Sequence, residues 1–251
     1  MENTIVCCSA VDLLMSLPDN SVGAVITDPP FYISTGRAKG WTEERGEFID
    51  PWSTAHDLAS AMAEVHPVII QIARVLRPGG ALAVMGQGIA STVWDYLARS
   101  ANLDWMSELT ILWNTGKPRL NNFGSLHTRV SWYSKPGAKH TFNSGERRSI
   151  YSNVVVVAKV PIQARRHPSE KPVALTNFLV SLLTRETDLI VDPYCGSGST
   201  LVSAAMCDRR WLGSDSNPSY AQAALTRVLH SEVDEDVTPI YLWINNRLEA
   251  I

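Results

Sequence analysis

Hydrophobic positions along the chain fall into two alternating patterns. Short, nearly continuous apolar runs carry the β-branched bias of buried strands: "TIVCC", "GAVITD", "ALAVMG", "ELTILWN", "SNVVVVAKVP", "DLIVDP" and "RWLGSD". Between them lie stretches with helical spacing: "VDLLMSLPDNS", "DLASAMAEVHPVIIQIARVL", "ASTVWDYLARSA", "KPVALTNFLVSLLTRE", "STLVSAAMCD" and "NPSYAQAALTRVLHSE". "RPGG" is expected to stop the longest helix, because Pro78 has no N–H to donate and glycine disfavours helix. "RVSWYSKPG" reads as the partner strand of a hairpin or meander, and the tail after Asp236 has no clear period. Strands apolar throughout and alternating with helices predict an α/β fold, a doubly wound, mostly parallel sheet covered on both faces. Right-handed crossovers place the strand C-termini along one edge, and ligands bind there where strand order reverses.

At 251 residues and 45% hydrophobic, the chain can bury a full core and reads as a single domain, 1–251, with a small insert. No apolar run is expected to reach membrane-spanning length, and "MENTIVCC" lacks the basic start and apolar stretch of a leader. Cys7, Cys8, Cys195 and Cys207 show no C-x-x-C spacing, which suits reduced thiols in a cytoplasm better than disulfides or a metal site. Net charge is only −3, but it is unevenly spread. Residues 114–166 hold ten basic side chains, including Lys117, Arg119, Arg129, Lys139, Arg147 and Arg148, against one acid, Glu146, a local charge of +9. Trp132, Tyr133, Phe142 and Tyr151 are interleaved with them. A solvated basic loop would account for the charge alone; with the aromatics, the pattern points to a nucleic-acid backbone.

Two turns at predicted strand ends carry the candidate chemistry. In "TDPPF", two prolines fix φ and remove N–H donors, so Asp28, the Pro29 carbonyl, Pro30 and the Phe31 ring are presented in a stiff arrangement that suits a planar substrate bearing an amino group. In "DPYCGSGST", Gly196 and Gly198 permit left-handed φ and a close backbone approach, with Tyr194 and Ser197 beside them. Asp192 before that turn would hold a cationic amine, and the free N–H groups of the helix start an anion. Taken alone G-x-G also fits an ordinary tight turn, and no Lys follows to make a phosphate loop. Asp215, at the next strand end, stands where doubly wound folds hold ribose hydroxyls, or serves as a helix cap with Asn217 and Pro218. Ser169 and Lys171 in "HPSEKP" could reach an anion.

Together, "LLMSLPDNSVGAVITDPPF", "ARVLRPGGALAV", "RVSWYSKPG", "HPSEKP" and "DLIVDPYCGSGSTLVSA" resemble the S-adenosylmethionine-dependent DNA amino-methyltransferases, which methylate adenine N6 or cytosine N4. The order, with "DPPF" early and the glycine turn late, is similar to the permuted β class. The resemblance implies a Rossmann-like methyltransferase fold with a seven-stranded sheet. It places Asp28, Pro29, Pro30 and Phe31 in the catalytic tetrapeptide and Asp192, Tyr194, Gly196, Ser197 and Gly198 in the cofactor loop. Asp215 would hold the cofactor ribose, and Ser169 and Lys171 would lie near its methionine carboxylate. Three positions depart from the pattern: Cys8 and Ser9 where an acid is frequent, Phe31 for tyrosine, and Tyr32 for asparagine. Ser9 would then make a weaker contact to the cofactor adenine.

The function this implies is methyl transfer to N6 of an adenine flipped out of double-stranded DNA, with cytosine N4, an inactive DNA-binding module and a non-DNA amine as the alternatives. Residues 136–166 are the expected target-recognition insert. That is short for reading several base pairs, so recognition is expected to be limited, or shared with "YISTGRAKGWTEERGEF" and a second copy in a homodimer.

Overall fold

The computed structural model describes residues 2–30, 58–114, 126–145, 152–230, 240–244 and 247–250. The expected strands and helices form in order. β1 (Thr4–Cys7), α1 (Ala10–Met15) and β2 (Val22–Thr27) come first, then α2 (Leu58–Val75), β3 (Leu76–Gly86) and α3 (Gly88–Ser100). β4 (Asp104–Trp113), β5 (His127–Ser134) and β6 (Val154–Val157) follow, then α4 (Val173–Leu183), β7 (Leu189–Asp192) and α5 (Ser199–Met206). β8 (Arg210–Asp215), α6 (Pro218–Leu229), β9 (Ile240–Ile244) and β10 (Arg247–Ala250) complete the chain.

One sheet runs β1-β8-β7-β2-β3-β5-β4-β6-β9-β10. From β1 to β3 every neighbouring pair is parallel. β5 is antiparallel to both β3 and β4, the hairpin expected of "RVSWYSKPG". The sheet has ten strands rather than the expected seven. β6, from inside the expected 136–166 insert, pairs parallel with β4, and the tail supplies β9 and β10 antiparallel beyond it. "VVVV" at β6 leaves an apolar edge that β9 covers, so an exposed strand edge is avoided.

Every residue of β2 is buried, which is why its sequence shows no polar alternation. Ala24 and Ile26 face a layer built by α4, α5 and α6; Val25 faces the other, built by α1, α2 and α3. "RPGG" does end α2, but it continues directly into β3 and is absorbed as an irregularity where the β2 pairing jumps between Val22 and Ala24. Contrary to the sequence expectation, α2 is long and apolar enough to cross a membrane, with 18 residues of mean hydropathy 1.2. Its stripe of Val65, Val68, Ile69, Ile72 and Val75 is buried against the sheet, which accounts for the apolarity as core packing.

Candidate active site

Strand order reverses between β7 and β2: the chain runs outward from β7 to β8 on one side and from β2 to β3 on the other. This is the crevice position of a doubly wound sheet. The two adjacent strands end at Thr27 and Asp192, so both unusual turns emerge side by side. The Thr27 hydroxyl donates to Asp192 Oδ1 at 2.7 Å and ties them together. Asp192 also accepts the Tyr194 N–H at 3.2 Å and the Thr200 hydroxyl. Burial nevertheless pushes its carboxyl up to about 7.

Asp28 begins the proline turn. Lys171 Nζ donates to its Oδ2, while Oδ1 is buried with no hydrogen-bond partner among the described residues. Burial raises the Asp28 carboxyl, and the Lys171 ammonium opposes that rise. An unpartnered buried carboxylate oxygen is costly, which makes Asp28 Oδ1 a candidate acceptor for an external donor.

In the glycine turn, Gly196 and Gly198 have φ of 48° and 80°, the left-handed region that a side chain rarely adopts. A Cβ at Gly196 would also stand 3.4 Å from the His167 ring. The Gly196 N–H donates to Asp215 Oδ2 at 3.1 Å, and Asn217 N–H to Asp215 Oδ1 at 2.8 Å. The cap of α6 is Asn217, which accepts from Ser219 and Tyr220 N–H groups, so Asp215 is left at the strand end facing the crevice. Burial raises its carboxyl as well.

"HPSEKP" lies over this turn. His167 packs edge-on against Tyr220 at 4.5 Å, and burial together with the Lys171 charge holds its imidazole down at about 4, hence neutral. Glu170 is buried and pairs with Arg227 at 3.0 Å; Arg227 in turn donates to the Ser197 carbonyl at 3.0 Å. Ser199 Oγ donates to the Lys171 carbonyl at 2.8 Å. The segment is therefore stapled to the start of α5 at two successive residues.

These elements enclose a cavity of about 720 Å³. Asp28, Pro29 and Pro30 line one wall; Ser9, Ser169, Lys171, Asp192, Tyr194, Gly196, Ser197 and Asp215 line the rest. Gly198 stands behind the wall against Ala224. Ser9 is used locally: its hydroxyl caps α1 and donates to Asp12 at 2.6 Å. Phe31, Tyr32, Lys117, Arg119, Arg147, Arg148 and the whole of "YISTGRAKGWTEERGEF" lie outside the described residues. The described part of the basic segment is split. Arg129 pairs across from Gly86, at the crevice end of β3, but is held by Glu108 at 2.8 Å and Asp95 at 3.9 Å. The Lys139 backbone packs on Gly79, toward the opposite end of the same strand, so the structure does not bring Lys139 to the cavity. Sequence reasoning missed Thr27, His167, Glu170, Thr200, Tyr220 and Arg227. Thr27 was legible as the last strand residue before Asp28, and Thr200, His167 and Glu170 stand within or beside the two quoted motifs; Tyr220 and Arg227 become neighbours only through the packing of α6. No group of acids, histidines and cysteines suited to a metal occurs among the described residues.

Residues 22–226 match the family of N6/N4 methyltransferases described as DNA methylase. The chain belongs to this DNA methylase family. Curated relatives include the type II methyltransferase M2.LlaDCHI of Lactococcus lactis subsp. cremoris, 28% identical over 90% of each chain. Another is M.HpaI of Haemophilus parainfluenzae, 24% identical over 91% of this chain and 74% of that protein. Among solved structures, the M1.HpyAVI–SAM complex superposes with a TM-score of 0.68 at 20% identity, covering 90% of this chain and 98% of that one. The cytosine-N4-specific PvuII DNA methyltransferase gives 0.69 at 18% identity, covering 91% and 93%.

This member of the DNA methylase family is an S-adenosylmethionine-dependent DNA amino-methyltransferase on a Rossmann-like α/β fold. The cavity suits that donor. Its volume lies within the roughly 300–1,000 Å³ typical of small-molecule sites. The left-handed Gly196 brings main chain to the wall, and Asp192 and Asp215 add two carboxylates to the lining.

Proposed function

We propose that this DNA methylase transfers methyl to the N6 amine of adenine, flipped out of double-stranded DNA into the crevice. The observation that carries the reading is the open Oδ1 of Asp28 in the same cavity as the Asp192 turn. An adenine amine is a weak nucleophile because its lone pair is delocalised into the ring. Asp28 Oδ1 and the Pro29 carbonyl each accept one N–H, which pulls the nitrogen toward tetrahedral geometry and turns its lone pair outward. The donor contributes an electrophilic sulfonium methyl. On accepting the methyl from a donor that would leave as a neutral thioether, the nitrogen would become positive and would then release one N–H proton to solvent water. Asp28 stabilises that developing charge. The proline turn holds both acceptors still, and Phe31 stacks on the base. Flipping costs a few kcal/mol, offset by stacking and by backbone contacts from the basic residues Lys117, Arg119, Arg129, Arg147 and Arg148, without Lys139, which lies toward the other end of the sheet.

Adenine is favoured over cytosine because an acid opens the tetrapeptide, where serine leans toward cytosine N4 in this family. Tritium transfer from labelled cofactor into duplex DNA, followed by nucleoside analysis, tests the base. The expected product is N6-methyl-2′-deoxyadenosine; label in N4-methyl-2′-deoxycytidine overturns the base, and label in RNA or protein alone overturns the substrate. We further propose that 136–166 contributes to target recognition, that a homodimer shares it, and that the enzyme works in the cytoplasm.

In this reading Asp192 holds the cofactor's amino group, which gives binding a pH dependence of known sign. The free carboxyl is raised to about 7, so below that pH it is protonated. A cationic amine, itself charged below the α-amino pKa of about 8, favours the anion. Binding must then expel the proton. Affinity is expected to fall about tenfold for each pH unit below 7, with about one proton released per cofactor bound at pH 6. Calorimetry in buffers of different ionisation enthalpy measures both. Asp192→Asn should bind weakly and without this slope; a slope retained in the variant places the titration elsewhere.

A further inference from the structure

We infer that Lys171 is a positioning residue for Asp28: it occupies one carboxylate oxygen, keeps the group anionic, and so leaves the other oxygen aimed and free for the target amine. This rests on Asp28 being the amine acceptor, and it assigns Lys171 to the catalytic acid rather than to an anionic end of the cofactor.

Three observations support it. The Lys171 ammonium donates to Asp28 Oδ2 and, at 3.2 Å, to the Ser169 carbonyl, which commits two of its three donors. Both side chains are largely buried, at 13% and 16% exposure, so the pair is poorly screened. The position of Lys171 is also imposed from outside. Its carbonyl is held by Ser199, the preceding Glu170 by Arg227 and Arg166, and the following Pro172 fixes the chain where α4 begins. The proline turn and the start of α5 are thereby joined through one residue, Lys171, whose ammonium holds Asp28, 143 residues away, and whose carbonyl is held by Ser199.

The pairing has a chemical consequence. Burial favours the protonated form of Asp28 and the Lys171 ammonium opposes it, and a protonated carboxyl stabilises developing positive charge far less than an anion does. The other charged groups near the pair work in both directions. Asp192, reached through Thr27, is itself raised by the Asp28 charge, and Glu64 on α2 also lines the cavity. Lys159 and His167 face Lys171; the imidazole is neutral, and Lys159 repels the ammonium. Lys171 is thus the direct counter-charge to Asp28 among the described residues.

The test compares wild type with Lys171→Met, Lys171→Gln and Lys171→Arg, each at saturating cofactor and duplex DNA in single-turnover assays across pH 5.5–9 (about the span over which a perturbed carboxyl titrates). The acid limb of the rate profile should move up by about 1–3 pH units in Lys171→Met and Lys171→Gln. The rate should then fall about tenfold per pH unit on that limb. Lys171→Arg should restore most of it. Cofactor affinity, by calorimetry without DNA, should stay within about threefold. An unmoved acid limb, or a large loss of cofactor affinity with the saturated rate retained, overturns the inference and makes Lys171 a cofactor anchor. Should Lys171→Met fail to fold, Lys171→Gln and Lys171→Arg carry the same comparison. Asp28→Ala measured in parallel separates the two levels. Full activity there removes the acceptor role itself, whereas an inactive Asp28→Ala beside unaltered Lys171 profiles removes only the positioning role.

Discussion

Asp28→Ala is expected to lower methyl transfer to DNA about 100- to 1,000-fold or more while leaving cofactor affinity within about threefold. The size follows from its place. Asp28 offers a buried acceptor oxygen with no partner among the described residues, and Pro29 and Pro30 stiffen the turn that presents it. The selectivity follows from the other wall. Asp192, Gly196 and Asp215 are held by their own hydrogen bonds, independent of Asp28. Removing the acid also leaves Lys171 with its charge uncompensated, so a modest loss of stability accompanies the loss of rate. Asp28→Asn, which keeps shape and one acceptor oxygen, should fall between wild type and alanine. Single-turnover rates set against calorimetric cofactor binding decide the matter. Parallel loss of both would show a folding defect and withdraw the role assigned to Asp28.

The largest effect on stability is expected from Glu170→Ala. The Glu170 side chain is 1% exposed and Arg227 6%, and they meet at 3.0 Å. Breaking such a pair from one side strands a buried guanidinium, at a cost of about 3–5 kcal/mol. For a domain of this size that corresponds to a melting temperature lower by roughly 6–20 °C. The damage should reach the site, because Arg227 holds the Ser197 carbonyl and Ser199 Oγ, and Glu170 orders the segment that carries Lys171. Replacing both partners, Glu170→Leu with Arg227→Met, should recover much of the stability without recovering the order of the glycine turn. Thermal melts of the three variants, with cofactor affinity measured alongside, check this. A Glu170→Ala melt within about 2 °C of wild type would mean the pair contributes little.

The resemblance in the first reading was carried by turns whose conformation is written locally. Prolines 29 and 30 restrict φ wherever they stand, and glycines 196 and 198 permit the left-handed φ that they adopt here. Apolar runs such as "GAVIT" and "LIVD" had to be strands buried on both faces, because no alternation would let one face meet water. Element type, the edge that bears the ligands and the acids at strand ends were therefore legible without coordinates.

Other features depended on strand order, which is a property of the whole chain. That β7 lies beside β2, so that Thr27 reaches Asp192, rests on pairing between segments 165 residues apart. Lys171 read as a lysine near an anion until the fold set it against Asp28. Arg129 and Lys139 counted alike in the basic segment, yet β5 runs antiparallel to β3 and carries them toward opposite ends of the sheet. The strand count rose from seven to ten because β6 paired with β4 and the tail then covered the apolar edge of β6 with β9 and β10. Sequence alone determined the backbone shape of each turn and the burial of each strand, since those follow from φ limits and local periodicity. Tertiary structure decided which charges face one another, since a Coulomb partner is chosen by distance in space and by the absence of water between.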